Sequence, residues 1–253
     1  MPVIKRVVLW GSVCLIVIPW IGLAALFSLH MEGGAGGFAS GLILIPAYGV
    51  EAARDALQPD RHFGGLEDVP ALAVLKNSSG HGIRPSDGRR LYDLIVKNGY
   101  RRALDVGTAR GYSSLWFALA MKKTGGTVTT IEIDPALAAF ARENFRRAGL
   151  APVIDSRTAD ALAEIPNLTG QFDFVFIDLG VPDINRRVLE VVYPRLKPGG
   201  VIAAHNALFF AAEQPGYLAE IRDGARFETN IVRTASGGIS ISVKRSGAPA
   251  NGR

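Results

Sequence analysis

The sequence has almost no cysteine and no long run of charge of either sign. Its single cysteine, Cys14, excludes an intrachain disulfide and a zinc site built on cysteine pairs. Lys and Arg total 28 against 23 Asp and Glu, and the basic residues are scattered along the chain. Nucleic-acid binders concentrate their basic residues on one face or arm, so a nucleic-acid partner is disfavoured. The apolar content of 48% excludes global disorder.

The N-terminus carries the longest apolar run. Lys5 and Arg6 precede an uncharged stretch at 7–29, and its 23 residues exceed the about 20 that cross a hydrocarbon core as a helix. A secretory signal peptide has a shorter apolar region, so we expect a membrane anchor over residues 1–50. The uncharged stretch 33–50 has two open interpretations. In the first, it is the second helix of a membrane hairpin, because Gly33, Gly37 and Gly41 recur every four residues, a spacing that lets two membrane helices approach closely. In the second, the glycines mark a flexible linker that is followed by an interfacial helix.

The rest of the chain divides by composition into a connector at 51–75, a globular domain at 76–245 and a flexible tail at 246–253. From residue 88 onward, β-branched runs alternate with amphipathic stretches, which predicts a doubly wound, mostly parallel α/β sheet. The last two predicted strands, near Phe227–Val232 and Ile239–Val243, resemble a closing antiparallel pair.

Five strands and four helices are predicted before this pair. The strands are expected at Arg102–Val106, Thr127–Ile133, Val153–Ser156, Phe172–Asp178 and Val201–His205, and the helices at Gly88–Asn98, Ser113–Lys123, Pro135–Ala148 and Ile184–Val192. Ligands bind beyond the carboxyl ends of strands in such sheets. The polar residues predicted at these ends are Asp105, Glu132, Asp178, His205 and Asn206.

The first strand runs into a glycine turn at 104–113, whose sequence is LDVGTARGYS. Gly107 and Gly111 permit unusual dihedral angles and a close approach of the backbone to a ligand. Their spacing is not the GxGxxG of dinucleotide-binding proteins. Asp105, two residues before the first glycine, is suited to receive a cationic or amine group, whereas a pyrophosphate would require bare amides at a helix N-terminus.

Two further acids follow the next two strands. Glu132 closes the second strand, where a carboxylate can accept hydrogen bonds from both hydroxyls of a ribose. Asp160 follows the third strand and can accept a hydrogen bond from an adenine amino group. Together, these positions predict a site for an adenosine-containing cofactor.

These segments, and their order along the chain, resemble those of class I S-adenosylmethionine-dependent methyltransferases. Within that class, they resemble the catechol and caffeoyl-CoA O-methyltransferase family over about residues 80–244. The matching segments are Gly82–Gly88, Asp105–Ser113, Ile131–Pro135, Phe172–Asp178 and Leu196–Asn206. The resemblance implies a Rossmann-like methyltransferase domain over 76–245 and S-adenosylmethionine as cofactor. The cofactor-binding residues would be Asp105, Gly107, Thr108, Gly111, Tyr112, Ser113, Glu132, Ile133, Asp160 and Asp178.

Two positions depart from the family pattern. The family holds a metal on an Asp after strand four and on an Asp-Asn pair after strand five; Asp178 and Asn206 match, but His205 replaces the second Asp. Val181 stands where the family has its general-base lysine. We expect Asp178, His205 and Asn206 to converge above neighbouring strands.

The catalytic residues would then be Asp178 and His205, and three roles stay open for the histidine. It would complete an Asp-His-Asn metal site, whose imidazole favours Mn²⁺, Fe²⁺ or Zn²⁺ over Mg²⁺. Alternatively, it would replace the missing lysine as general base, since an imidazole titrates near neutral pH. It can also be simply a hydrogen-bonded histidine at a strand end.

The sequence therefore predicts an O-methyltransferase that acts on a hydroxylated small molecule. The alternative is a membrane-attached module that binds the cofactor without turnover, which Val181 favours; a nicotinamide oxidoreductase is disfavoured by the glycine spacing. Because S-adenosylmethionine is made in the cytoplasm, we expect a membrane-anchored protein whose catalytic domain faces that side. Homo-oligomer formation stays open.

Overall fold

A computed structural model of the chain describes residues 49–50, 53–54, 57–58, 60–78, 82–181, 184–234 and 236–247. The predicted apolar run 7–29, all but the last two residues of 33–50, and all but the first two of the tail 246–253 lie outside these ranges. Within the described ranges, no helix combines the length and the apolar composition that a membrane span requires. The expected membrane segments therefore stay predictions.

Seven strands form one sheet: β1 (Arg102–Val106), β2 (Thr127–Glu132), β3 (Ile154–Thr158), β4 (Phe172–Ile177), β5 (Leu196–His205), β6 (Phe227–Val232) and β7 (Ile239–Lys244). Their order across the sheet is β3-β2-β1-β4-β5-β7-β6. Strands β1 to β5 are parallel, and β7 runs antiparallel between β5 and β6. The predicted mostly parallel sheet with a closing antiparallel pair is confirmed.

Helices cover both faces of the sheet: α1 (Val69–Ser78), α2 (Pro85–Asn98), α3 (Tyr112–Thr124), α4 (Pro135–Arg147), α5 (Ala161–Glu164), α6 (Ile184–Val192) and α7 (Pro215–Ile221). The first four helices share one hydrophobic core with one face of the sheet, and the last three share a second core with the other. Strand β4 contributes to both, with Phe174 and Phe176 in the first core and Val175 and Ile177 in the second. This two-sided burial explains its nearly continuous apolar sequence.

Strand β5 differs from its prediction at its start. We expected a turn at Pro198-Gly199-Gly200 and a strand from Val201, but the strand begins at Leu196 and contains the turn residues. Its register with β4 shifts between Phe172 and Phe174, which accommodates the extra residues as a bulge. The strand nonetheless ends at His205, as predicted.

The segment interpreted as a connector at 51–75 contributes to the core. Phe63 is buried and stacks on Trp116 of α3, with ring centroids 5.4 Å apart. Gly88 of α2 leaves room for this indole, because a Cβ at Gly88 would lie 2.3 Å from Trp116 Nε1. Ala71 and Leu75 of α1 are fully buried in the same core. Packing of the domain therefore begins at about residue 63.

Candidate active site

The carboxyl edge of the sheet opens into a cavity of about 440 Å³ between the ends of β1, β2 and β4. It is the expected position for a ligand of a doubly wound sheet. Eight of the predicted cofactor-binding residues are in or next to its wall: Gly107, Thr108, Tyr112, Ser113, Glu132, Ile133, Asp160 and Asp178. The other two, Asp105 and Gly111, do not line it.

The glycine turn after β1 has the backbone that the sequence predicted, and both glycines lie against protein on the side where a Cβ would stand. Gly107 has φ +100° and Gly111 has φ +87°, angles that side-chain-bearing residues rarely adopt. A Cβ at Gly107 would lie 2.3 Å from the backbone oxygen of Asp178, and one at Gly111 would lie 2.5 Å from the ring of Phe145. The glycines thus let the turn pack closely against β4 and α4.

Asp105 does not line the cavity, and the expectation that it meets a cationic ligand group directly stays a prediction. Its side chain is fully buried and accepts hydrogen bonds from Ser113 Oγ at 2.8 Å and Ser114 Oγ at 2.5 Å. Burial raises the pKa of Asp105 to about 7 despite these two bonds. Because Ser113 itself lines the cavity, Asp105 acts on the site by orienting that serine.

Glu132 lines the cavity at the end of β2, as predicted. One carboxylate oxygen accepts from the backbone N–H of Ala109 at 2.7 Å, and the other from that of Asp134 at 3.0 Å. Ala109 adopts φ +45°, so this contact stabilises an uncommon backbone conformation in the glycine turn. The two N–H groups fix the carboxylate while leaving lone pairs for a ligand.

The wall beyond Glu132 is apolar apart from one acid. Asp160 is the N-cap of α5 and accepts from the backbone N–H of Leu162 at 2.9 Å. Ile133 remains 68% exposed although it borders the cavity, an unusual position for a large apolar side chain. The remaining apolar groups on this side are Leu137, Ala159 and Leu162. Such a wall is suited to a flat heteroaromatic ring.

Asp178, His205 and Asn206 lie together at the ends of β4 and β5, as predicted. Asp178 Oδ2 is 3.2 Å from His205 Nδ1, and Asn206 Nδ2 is 3.2 Å from the same nitrogen. Asp178 lines the large cavity and also a small adjoining pocket that contains His205 and Asn206. The Asp178 side chain is 18% exposed and that of His205 only 5%, so the carboxylate is the more accessible of the two.

Two carboxylates influence the charge of His205. Burial lowers the pKa of this imidazole, but the hydrogen bond to Asp178 and the charges of Asp178 and Asp87 outweigh burial, so that the pKa lies above its ordinary value. Its second ring nitrogen, Nε2, is buried and makes no hydrogen bond within the described part of the chain. The backbone of Ser236 also raises the pKa of the imidazole.

The three polar groups at this point fit a divalent cation. Adjacent ligands that lie about 2.1 Å from one ion are about 3 Å apart, close to the two spacings measured around His205 Nδ1. A half-turn of the Asn206 amide directs its oxygen to the same point. The described residues hold no cluster of three or more His, Cys, Asp and Glu side chains suited to a metal, so the third donor at this point would be the Asn206 amide.

Several neighbours of this site were not singled out from the sequence. Gln214 Nε2 donates to the backbone oxygen of Asn206 at 3.1 Å, and Asn185 Nδ2 donates to Gln214 Oε1 at 2.8 Å. Asp87 belongs to the segment Gly82–Gly88 of the family resemblance, which implies no role for it. The hydroxyl of Ser236, 149 positions later in the chain, donates a hydrogen bond to Asp87. Local sequence carries no signal for these contacts, because they join positions far apart in the chain.

Comparison with known proteins identifies the family. Residues 104–207 match a family model described as a methyltransferase domain. A catechol O-methyltransferase from Niastella koreensis is 33% identical over 153 residues, which cover 57% of this chain and 68% of that protein. The chain belongs to the S-adenosylmethionine-dependent O-methyltransferases.

Solved structures support the same fold. An O-methyltransferase from Bacillus cereus, in complex with S-adenosylhomocysteine, is 26% identical and has a TM-score of 0.66, covering 76% of this chain and 97% of that one. The O-methyltransferase TomG from Streptomyces achromogenes, in complex with S-adenosylmethionine, is 21% identical with a TM-score of 0.64, covering 78% and 96%; at this identity it supports the fold alone.

The methyltransferase assignment confirms three expectations from the sequence: the family, the reaction class and S-adenosylmethionine as cofactor. The sulfonium of this cofactor already activates its methyl group. The enzyme therefore requires in-line positioning of an acceptor and removal of a proton, rather than a covalent nucleophile.

Proposed function

We propose that this enzyme methylates a hydroxyl group of a small molecule that binds where the large cavity meets the small pocket. The observation that carries the proposal is the position of Asp178, which borders both spaces and contacts His205. A cofactor in the large cavity and an acceptor beside Asp178 would be neighbours. That proximity supplies the orientation that methyl transfer requires.

In this proposal, the cofactor occupies the cavity along its polar and apolar walls. Glu132 accepts hydrogen bonds from the ribose hydroxyls, because its carboxylate is already fixed by two backbone N–H groups. Asp160 accepts from the adenine amino group, and Ile133 covers the ring. The methionine end lies along the glycine turn, near Gly107, Thr108, Tyr112 and Ser113.

Asp178, His205 and Asn206 would hold a divalent cation, and a cation bound there supplies positive charge that stabilises a deprotonated acceptor oxygen. The imidazole favours Mn²⁺, Fe²⁺ or Zn²⁺ over Mg²⁺. Asp178 orients the acceptor, since its side chain borders both spaces and is more accessible than that of His205. His205 contacts the carboxylate through Nδ1 and holds it in place.

A second role for His205 is favoured by its contact with Asp178. In this role, the Asp178 carboxylate accepts the acceptor's proton without a cation, and the buried imidazole donates its Nδ1–H to that carboxylate and orients it. Chelation separates the two roles. Loss of methyl transfer after exhaustive chelation, with recovery on adding Mn²⁺, supports the cation. Full activity after chelation would contradict the role of a cation and leave proton transfer by the Asp178–His205 pair.

The acceptor side is apolar where the family carries a lysine. Val181 is 59% exposed and lines both spaces, and Phe210 lines the small pocket and contacts Phe209 edge to face. We propose an acceptor with an aromatic or otherwise apolar body next to its hydroxyl. A catechol is a reasonable first probe, given the name of the relative from Niastella koreensis.

Calorimetry and a transfer assay test the proposed activity. S-adenosylhomocysteine should bind and NAD should not. Transfer of a labelled methyl group to catechol, or to a pool of hydroxylated metabolites, then distinguishes the enzyme from a module that binds the cofactor without turnover. Binding of NAD in place of S-adenosylhomocysteine would contradict the proposal.

We also propose that the run 7–29 anchors the protein in a membrane, with the catalytic domain on the cytoplasmic side. The support is its uncharged length after Lys5 and Arg6 and the cytoplasmic origin of S-adenosylmethionine. The orientation requires either that 33–50 returns the chain or that 7–29 inserts with its N-terminus outside. We expect a cytoplasm-active reporter fused after Arg253 to give signal; activity of alkaline phosphatase at that position would contradict the orientation.

A further inference from the structure

Asp87 is a buried acid that the proposed reaction does not use. It lies in the first turn of α2, and its side chain is fully buried. One oxygen, Oδ2, accepts from the hydroxyl of Ser236 and from the backbone N–H of Arg84 at 3.3 Å. The other, Oδ1, is buried with no hydrogen-bond partner in the described part of the chain. A carboxylate in this position is costly, because burial disfavours its charge and raises its pKa.

The partner of Asp87 belongs to the loop between β6 and β7. Ser236 is followed by two glycines whose carbonyls accept from the backbone at the end of β5. Gly237 O accepts from Leu208 N at 3.0 Å and Phe209 N at 2.9 Å, and Gly238 O accepts from Ala207 N at 3.1 Å. The loop 236–238 therefore holds the turn that immediately follows His205 and Asn206.

The same loop lies against the side chain of Asn206. Gly237 has φ +101°, and a Cβ at this position would lie 2.6 Å from Asn206 Oδ1. Asn206 has φ +57°, in the left-handed region that asparagine adopts more readily than other residues with a side chain. The loop packs against one side of Asn206, and Gln214 donates to its carbonyl from another.

The charges of Asp87 and His205 also influence each other. The carboxylate raises the pKa of the imidazole, and the imidazole lowers that of the acid. The acid that contacts the ring directly is Asp178, at Nδ1. The structural link from Asp87 to this site therefore runs through Ser236 and the loop 236–238.

We propose that Asp87 is a positioning residue for methyl transfer, which through Ser236 and the loop 236–238 holds in place Asn206 and the turn that follows His205. This inference rests on the proposed role of His205 and Asn206. It assigns a catalytic consequence to helix α2, which precedes the sheet in sequence.

Two substitutions separate the contributions of Asp87. Asp87→Asn retains an oxygen that can accept from Ser236 and Arg84 but removes the charge, whereas Asp87→Ala removes both. Substitution of a residue that supports a site residue without contacting the ligand typically lowers activity or metal affinity about 10- to 100-fold. We expect kcat to fall about 10- to 100-fold in Asp87→Ala and less in Asp87→Asn, which keeps an acceptor for Ser236, while the Kd for S-adenosylhomocysteine stays within about twofold. The matched control is Asp93→Ala, an exposed acid on the same helix that pairs with Arg89 at the surface.

Hydrogen exchange provides a readout that does not require turnover. In the full chain, Asp87→Ala should accelerate amide exchange at 206–209 and 236–238, and Asp93→Ala should not. Binding of Mn²⁺ alone, followed by electron paramagnetic resonance, should weaken in parallel with kcat. If the wild type transfers no methyl group, the proposed function fails but exchange still tests the positioning. Unchanged exchange in Asp87→Ala, or accelerated exchange with unchanged kcat, would overturn the inference.

Discussion

The carboxyl edge of the sheet has two halves that are built in different ways. The cofactor half follows β1, β2 and β3, and its residues are spaced closely in sequence from the glycine turn at 107–113 to Asp160. The acceptor half follows β4 and β5 and combines Asp178, His205 and Asn206 with Asp87 and the loop 236–238. The first half is encoded in short motifs, whereas the second exists only after distant segments have packed together.

Substitution of His205 should separate the two halves most strongly. His205→Ala removes the nitrogen that Asp178 and Asn206 both face, so we expect kcat to fall about 10²- to 10⁴-fold, the range for loss of a proton-transfer group. The Kd for S-adenosylhomocysteine should stay within about twofold, because His205 does not line the large cavity. Methyl-transfer kinetics and calorimetry measure the two effects. A fully active variant would remove His205 from the mechanism.

Glu132→Ala should produce the converse result. It deletes the charged acceptor proposed for the ribose and releases the N–H groups of Ala109 and Asp134. A hydrogen bond to a charged group contributes about 1.5–3 kcal/mol, so affinity for S-adenosylhomocysteine should fall about 10- to 100-fold. Calorimetry measures this loss, with the exposed Glu143→Ala on α4 as control. An unchanged Kd would mean that the ribose binds elsewhere.

Asp105→Asn should have the smallest effect on cofactor binding, because Asp105 contacts the site only through Ser113. Its main effect should be on pH dependence. The pKa of Asp105 in the folded protein, about 7, lies above the ordinary 3.8, so the folded state retains a proton that the unfolded state has lost between these values. Stability should therefore decrease as pH rises through this window.

Thermal unfolding of the wild type and of Asp105→Asn at pH values between about 5 and 8 measures this difference. The wild-type midpoint should decline more steeply with rising pH than that of the variant, since the amide cannot titrate. Parallel curves would show that Asp105 remains ionised, and a large loss of cofactor affinity would show that it contacts the ligand after all.

The difference between the two halves also shows what the sequence pattern can predict about the fold and the site. Alternating patterns predicted β1, β6 and α6 at their observed bounds and the ends of β2, β4 and β7 to within one residue. The start of β5 was wrong because Pro198-Gly199-Gly200 is typical of a turn but forms a bulge inside the strand.

The contacts of the site that the sequence did not predict have a common physical origin. Asp105 precedes a glycine turn, which suggested a ligand-facing acid; one of its oxygens accepts from the hydroxyls of Ser113 and Ser114, and the other is buried without a hydrogen bond in the described part of the chain. Hydrogen bonds of this kind depend on which side chains face each other after folding. The role of Ser236 was equally inaccessible, because its partner Asp87 is 149 positions away in sequence. Motif spacing thus predicted which residues lie at the edge of the sheet, but not which hydrogen-bond partners those residues have.

The stacking of Phe63 on Trp116 has a practical consequence for producing the protein. A shortened version intended to remove the apolar N-terminus would normally be cut near the predicted domain start at residue 76. Such a cut would leave one face of the Trp116 indole uncovered beside Gly88, where no side chain can cover it. An exposed indole and the lost helix α1 would favour aggregation on expression. A cut before residue 60 retains the aromatic cover and the turn at 60–65 that carries it.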